Sequence, residues 1–376
     1  MNFGSAFPRV AGILIAFTPT SPLQPFSALS EQNTRPPKSL AELDERITEP
    51  SPGVVETLRG IDGDIMVAGA GGKMGFHLCV MLRRGIDSLG KTSRVVAVSR
   101  FGDAATREAF ADRSIETIPA DLTAPAAVRK LPEASALFFL AGKKFGTSDS
   151  PETLRVFNEE MPALVAERFA SIPIVAFSTG CVYPFTTPAS GGSKETDPVG
   201  PVGAYAVSCL GRETAFIESS RSNGTPLALI RLNYSVDLRY GVLVDLAVKV
   251  LAGEPVDLEM GFLNCIWQGD ALDHSVRSLD HAAVAPDHCV MNVTGPRVLS
   301  IRQTAERFAE HFGKKVSFRG EEAETAWLSD AEKSHRLFGP PRVSEERLVE
   351  WVADWVGQGR PLLGKPTHFE VRDGNY

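Results

Sequence analysis

Gly69, Gly72 and Gly75, in the run Gly69-Ala-Gly-Gly72-Lys-Met-Gly75, are the residues of this chain best suited to cradling a phosphate. Gly69 permits a tight turn. Gly72 offers no Cβ to block the approach of a pyrophosphate to the backbone, and Gly75 lets a helix pack closely on a strand. Amides at the start of such a helix favour phosphate oxygens. The same spacing also serves bare structural turns, so the surroundings decide. Ser99-Arg100 follows where a carboxylate would accept the adenosine ribose hydroxyls. A hydroxyl beside a guanidinium suits a 2′-phosphate instead, which arginine can hold through two parallel hydrogen bonds. NADP is therefore expected ahead of NAD, the alternative being a solvated arginine. Asp121, in Thr117-Ile-Pro-Ala-Asp121-Leu122, offers an acid to the adenine amine at another strand end. His274, His281 and His288 recur every seven residues, but no two stand at i, i+4 and Pro286 precedes the third, so no metal site is expected. The five cysteines (79, 181, 209, 265, 289) contain no C-x-x-C pair and suggest neither a disulfide framework nor a zinc site. A reducing, cytoplasmic compartment is the default.

The elements around the glycines have the alternation that phosphate binding requires. Asp64-Ile-Met-Val-Ala-Gly69 is a short apolar run, Phe76 to Arg84 is amphipathic, and Val95-Val-Ala-Val98 is a second strand. Together they open a βαβ unit. Ala136 to Gly142 reads as a buried strand, 152–170 as a helix, Ile172 to Phe177 as a strand and 203–220 as a helix. Leu227 to Arg231 closes the series. This alternation predicts an α/β, Rossmann-like doubly wound parallel sheet whose ligands bind at the carboxyl edge. Beyond Asn233, helices near 242–252, 270–283 and 300–312 predict a smaller, partly helical lobe. The expected organisation is a flexible leader (1–37), a dinucleotide-binding domain (38–232) and a substrate lobe (233–376) interleaved with it. Ser39 is positioned to cap a helix over 40–47. Val10 to Phe17 faintly resembles a signal-peptide core but is short and runs into prolines, so a leader or an upstream start is favoured over secretion. Trp351 and Trp355 read as a core-facing helix stripe. The segment from Lys365 fits no pattern.

Composition narrows the classes. The 376 residues, 43% hydrophobic and 23% charged, exclude a disordered chain. A net charge of −7 argues against nucleic-acid and anionic-membrane partners. No apolar run approaches the ~18 residues of a membrane span.

From about Asp64 to Val356 the chain resembles an extended short-chain dehydrogenase/reductase of the NAD-dependent epimerase/dehydratase family. The motifs are Gly69-x-x-Gly72-x-x-Gly75, Asp121-Leu122, Leu140-Ala141-Gly142, Phe177-Ser-Thr-Gly-Cys-Val-Tyr183, Glu195 through Pro201, Tyr205 with Glu213, and Arg231-Leu-Asn233. The resemblance implies hydride transfer between a sugar carbon and a nicotinamide, with Tyr205 as acid or base and Thr179 as its catalytic hydroxyl partner. It places Lys73, Met74, Leu140, Ala141, Gly142 and Tyr205 with the glycines, Ser99, Arg100, Asp121 and Leu122 around the cofactor. Thr179 and Asn233 join the substrate side, and a homodimer is the family's usual form. The motif lysine is missing, because Tyr205-Ala-Val-Ser-Cys209 carries a thiol in its place. On a helix Cys209 lies beside the phenol. A model tyrosine is only about one part in a thousand ionised at pH 7. The oxidised nicotinamide ring and Lys143 or Lys144, just after the fourth strand, are the candidate sources of charge; Lys144 is also placed on the substrate side. Cys209 itself reads as a packing residue rather than a nucleophile. In Gly261 to Asp270 the family's acidic motif is met by Asp270, but Leu263 stands where an arginine grips a nucleotide diphosphate. Arg239 is the candidate replacement. The pattern favours an oxidoreductase or epimerase of a carbohydrate-like substrate over a nucleotide-linked one. A catalytically impaired dinucleotide sensor, for which Cys209 speaks, is the alternative.

Overall fold

Short, largely apolar runs form most strands of one parallel sheet, whose edge strand over Glu116–Pro119 is polar and partly exposed. In the computed structural model, which describes residues 35–144 and 151–374, these are β1 (Ile65–Ala68), β2 (Val95–Ser99), β3 (Glu116–Pro119), β4 (Ala136–Phe139), β5 (Ile174–Thr179), β6 (Leu227–Leu232) and β7 (Cys289–Val293). Their order is β7-β6-β5-β4-β1-β2-β3, and every neighbour is parallel. Ile65 of β1 pairs with Val95 on one side and Ala136 on the other. The chain thus winds outward from β1 in both directions. That reversal opens a crevice at the carboxyl ends of β1 and β4, the place where such sheets take their ligands. The strand 289–293 had no distinct signal in the sequence, and it brings the C-terminal half back to the sheet beside β6.

Helices cover both faces. Ser39 accepts from the amide of Glu42 at 3.2 Å and starts the helix Leu40–Ile47, as its hydroxyl predicts. The expected helix over 152–170 is broken into Pro151–Arg155, a wider π-turn at Val156–Glu160, and Met161–Arg168. Pro162 explains the break: it has no amide for the carbonyl four residues back, that of Asn158. The helix Gly203–Asn223 runs past the expected end at 220 and stops on Gly224, at φ +73°. Trp351 and Trp355 lie buried on Glu345–Gly357, as their spacing predicts. All five cysteines are buried and none is in a disulfide. No helix among the described residues is long and apolar enough to cross a membrane. The leader lies outside the described residues up to 34.

The C-terminal segment has a defined course. Thr367 donates its amide (2.7 Å) and hydroxyl (2.6 Å) to Asp245, and Phe369 is buried. Glu370 pairs with Lys249, while Arg372 donates to the carbonyls of Thr325 (2.6 Å) and Glu259 (3.0 Å). Gly374 then lies directly against Gly203, the first residue of the helix that carries Tyr205. A Cβ on Gly203 would come within 2.6 Å of the Asp373 carbonyl oxygen and of the Gly374 Cα.

Candidate active site

The three glycines differ in what requires them. Gly69 has φ +90°, and a Cβ there would strike the backbone of Ala141 at the end of β4. A Cβ on Gly75 would stand 2.5 Å from the Ala70 carbonyl oxygen. Both are glycine for the fold. Gly72 has an ordinary φ of −76°, and a Cβ there would meet nothing closer than 3.4 Å. No side chain caps the helix Lys73–Ser88 that it precedes. The amides at the start of that helix, including those of Lys73 and Met74, have no side-chain cap and follow the carboxyl end of β1. Lys73 places its ammonium 4.1 Å from the centre of the Tyr240 ring, and burial, opposed by Asp237, lowers its pKa to about 8.

At the end of β2 a Cβ on Gly71 would meet Ser99 Oγ at 2.6 Å, so the strand end and the glycine turn touch. Arg100 is exposed and lies 5.7 Å over the Phe157 ring. Asp121 is exposed too. Its carboxylate accepts from the amide (3.0 Å) and hydroxyl (2.8 Å) of Thr123, bonds that lower its pKa. Leu122 is buried in the core, so only its backbone can face a ligand. Leu140 donates to the Ala68 carbonyl at 2.8 Å, joining the two strands that flank the crevice.

Thr179 ends β5, and its hydroxyl accepts from the amide of Cys181 at 3.2 Å. The turn that follows packs against the helix Gly203–Asn223: Cys181 meets Ala206, while Val182 and Tyr183 meet Cys209 and Tyr205. Both candidate catalytic hydroxyls are thus brought to one sheet edge. Cys209 is fully buried and shares a side-chain hydrogen bond with Tyr205. Burial drives the Tyr205 phenol well above its usual pKa; the Cys209 and Cys181 thiols add to this, and Arg212 opposes it.

Of the groups around Tyr205, Arg212 and Asn158 were not singled out in the sequence, whereas Glu213 and Arg231 stand in the motifs given above. Arg212 donates to the Phe177 carbonyl (3.0 Å) and to Asn158 Oδ1 (2.6 Å), and its guanidinium fills the space beside Gly142. Asn158, inside the π-turn, accepts from the Lys143 amide (3.0 Å) and donates to the Lys143 carbonyl (2.9 Å) and Ser208 Oγ (2.9 Å). It ties the loop after β4 to the tyrosine's helix. Beneath them, Glu213 accepts from Ser178 Oγ (2.6 Å) and from Arg231 Nε (3.0 Å) and NH2 (2.7 Å), while Arg231 also donates to the Tyr183 hydroxyl at 2.8 Å. Arg212 was within reach of sequence reasoning, being two turns beyond Tyr205 on the same face.

One substrate-side expectation needs correction. Arg239 does not reach for a substrate diphosphate; its guanidinium is 8% exposed and is held by Asp237 (2.7 Å) and Asp44 (2.9 Å), with His77 at 3.2 Å. A doubly matched buried cation has no charge to spare for a ligand. Asp270, which fits the acidic motif, accepts from Arg342 (2.7 Å) and the amide of Val343 (3.0 Å). Asn233 lies against Gly180, next to Thr179, and donates to Asn264 Oδ1 (2.8 Å) and to the Trp327 carbonyl (3.2 Å). Among the described residues no group of His, Cys, Asp or Glu could hold a metal ion.

The doubly wound sheet and the glycine turn at its switch point are those of a Rossmann-like fold. Residues 65–235 match the NAD dependent epimerase/dehydratase family. No curated protein matches the chain. Among solved structures, UDP-glucuronic acid 4-epimerase from Bacillus cereus, in complex with UDP-glucuronic acid and NAD, shares 18% identity at a TM-score of 0.62, over 78% of this chain and 99% of that one. Thermus thermophilus UDP-glucose 4-epimerase with NAD gives 18% and 0.62, over 77% and 98%. Pal from Bacillus thuringiensis gives 20% and 0.63, over 79% and 100%. At these identities the likeness is one of fold.

Proposed function

We propose that this protein is a nicotinamide-dependent oxidoreductase or epimerase that acts on a hydroxyl of a sugar-like substrate, with Tyr205 as acid or base and Thr179 beside it. The observation that carries the reading is that Thr179, at the end of β5, and Tyr205, on the helix packed against the turn that follows, lie at the edge of a sheet whose switch point holds an uncapped glycine turn. The residues present fit a dinucleotide: Gly72 leaves open precisely placed backbone where a Cβ would otherwise stand, and the first-turn amides offer positive charge to a pyrophosphate. A bound nicotinamide would accept or return the hydride. The chain's own part is to orient the substrate hydroxyl and to take its proton at the Tyr205 oxygen. The neighbours from Bacillus cereus and Thermus thermophilus were solved with NAD, and the first also with a UDP-sugar. Leu263 and the occupied Arg239 favour a substrate without the nucleotide. Exposed Arg100 beside Ser99 favours NADP.

Two binding experiments test the cofactor. Gly72→Val should abolish dinucleotide binding in titration calorimetry while the circular dichroism spectrum stays that of the wild type, because the site has room for a Cβ but not for both a side chain and a ligand. Unchanged affinity would remove the dinucleotide reading. Arg100→Ala should weaken NADP by about tenfold or more, the loss of a charge-assisted pair, and barely touch NAD. Equal losses would make Arg100 a bystander, and a wild-type preference for NAD would overturn the choice of NADP. A dinucleotide sensor is the second reading, favoured by the thiol at position 209. It predicts binding without turnover.

A further inference from the structure

We infer that Tyr234, just beyond β6, is a substrate-binding residue whose hydroxyl engages a hydroxyl of the sugar-like substrate. This rests on the reading of Thr179 and Tyr205 as the reacting edge. Its backbone is the first sign. Tyr234 is held at φ +41°, in the left-handed region that glycine enters freely and an aromatic residue rarely does. Both flanks impose it. The Asn233 amide donates to the Val293 carbonyl at 3.0 Å, and the Tyr234 carbonyl accepts from the Ile266 amide at 3.1 Å. Ser235–Val236 then pairs with Ile266–Trp267. Strain of this kind persists only where the surroundings over-determine it, and it clusters where ligands are gripped.

The position fits that use. Thr179 is in register with Leu232 on β6, so Tyr234, two residues on, leaves the sheet beside the turn that carries Gly180 and Cys181. A Cβ on Gly180 would meet the Asn233 Cβ at 3.1 Å, which puts the two loops in contact. The Tyr234 ring packs on the main core and the residue is half-buried. Among the described residues its hydroxyl has no hydrogen-bond partner. Tyr183 is the contrast, since it donates to Asn292 Oδ1 (2.9 Å) and accepts from Arg231 (2.8 Å). Burial pushes the Tyr234 phenol above its usual pKa, and the Cys181 thiol and Glu370 carboxylate add to this. The phenol is therefore neutral at working pH, able to donate one hydrogen bond and accept another, as a sugar hydroxyl requires. Glu370 belongs to the C-terminal segment, so Tyr234 is within electrostatic reach of both that segment and the turn after β5. A side chain already fixed in place loses little freedom on binding, which strengthens each bond it makes to a ligand.

The test reads Tyr234 directly. The full chain is produced with fluorinated tyrosine at its five tyrosine positions, and the resonance of residue 234 is assigned by its loss in Tyr234→Phe. With NADP or NAD bound, the protein is titrated in turn with D-glucose, D-glucuronic acid and UDP-glucose. At least one of these probes should shift the 234 resonance, and silence toward all three overturns the inference. For a probe that responds, Tyr234→Phe should weaken binding about tenfold in titration calorimetry, the loss of one hydrogen bond at a desolvated site. The deoxy form of that probe lacking the partner hydroxyl should bind both proteins equally. Equal affinity of the two proteins for the parent probe overturns the inference. So does a clear loss of thermal stability in Tyr234→Phe, which would assign the hydroxyl to the fold rather than to a ligand. Turnover of the Tyr205→Phe variant decides the catalytic reading separately. A 234 resonance that responds in a protein without turnover would uphold the binding role and sink the enzyme.

Discussion

Tyr205→Phe should lower turnover by about a hundredfold to ten-thousandfold, the usual contribution of a positioned acid or base, and leave dinucleotide affinity within a few-fold of wild type. The substitution removes one oxygen and keeps the ring that packs on Val182, Tyr183 and Cys209. The wild-type rate should also rise with pH. Burial raises the Tyr205 pKa well above its usual value, so at neutral pH the base form is scarce and grows about tenfold per pH unit. No plateau is expected before the pKa is reached. Substrates are found by screening free sugars, sugar acids and sugar nucleotides with either dinucleotide, following absorbance of the reduced nicotinamide. Product stereochemistry by NMR covers a redox-neutral epimerisation. A substrate turned over equally well by Tyr205→Phe would refute the mechanism, and silence in both assays alongside intact dinucleotide binding would favour the sensor.

Glu213→Ala should destabilise the fold by about 3–5 kcal/mol, because it leaves Arg231 charged and buried without its carboxylate. Glu213 is 1% exposed and Arg231 7%, so water cannot take over the lost bonds. The same change orphans the Ser178 hydroxyl at the strand position before Thr179. Removing both charges, as Glu213→Leu with Arg231→Met, should recover most of the loss, since a buried pair of this kind is often replaceable by apolar residues of similar size. Urea denaturation of the two single variants and the double measures the coupling. Additive losses, with the double variant worse than either single, would show that the pair is not the source of the effect.

What the sequence revealed follows from the range of the interactions involved. The glycine turn, the first six strands and the Ser39 cap depend on residues a few positions apart, and their patterns are visible in the chain. Gly69, Gly72 and Gly75 fall within seven residues, so their spacing is visible without the rest of the chain. Arg239 was misjudged for the opposite reason. Its partner Asp44 belongs to the first helix, and nothing local to Asp237-Leu-Arg239 shows that the charge is already matched. Asn158 was hidden by the π-turn, which shifts its side chain out of ordinary helical phase toward Lys143 and Arg212. Lys144 was legible as a charge near the cofactor edge. That it faces Tyr205, while Lys143 faces Phe157, required the loop's course. The strand 289–293 is mixed in polarity, with Asn292 within it, and does not announce itself without its partner β6.

The contact of Gly203 with Gly374 makes two distant positions a single hereditary unit. A side chain at 203 faces two obstacles, a backbone at φ +83° and collision with Asp373 and Gly374. A side chain at 374 faces a backbone at φ +74° and collision with Val202 and Gly203. Should a lineage lose its C-terminal segment, the collision at 203 disappears and only the backbone strain is left, about 1–2 kcal/mol. The reverse order is closed, because position 203 cannot change while the segment is seated on it. Divergence at the start of the tyrosine's helix is thus a one-way road that begins at the other end of the chain.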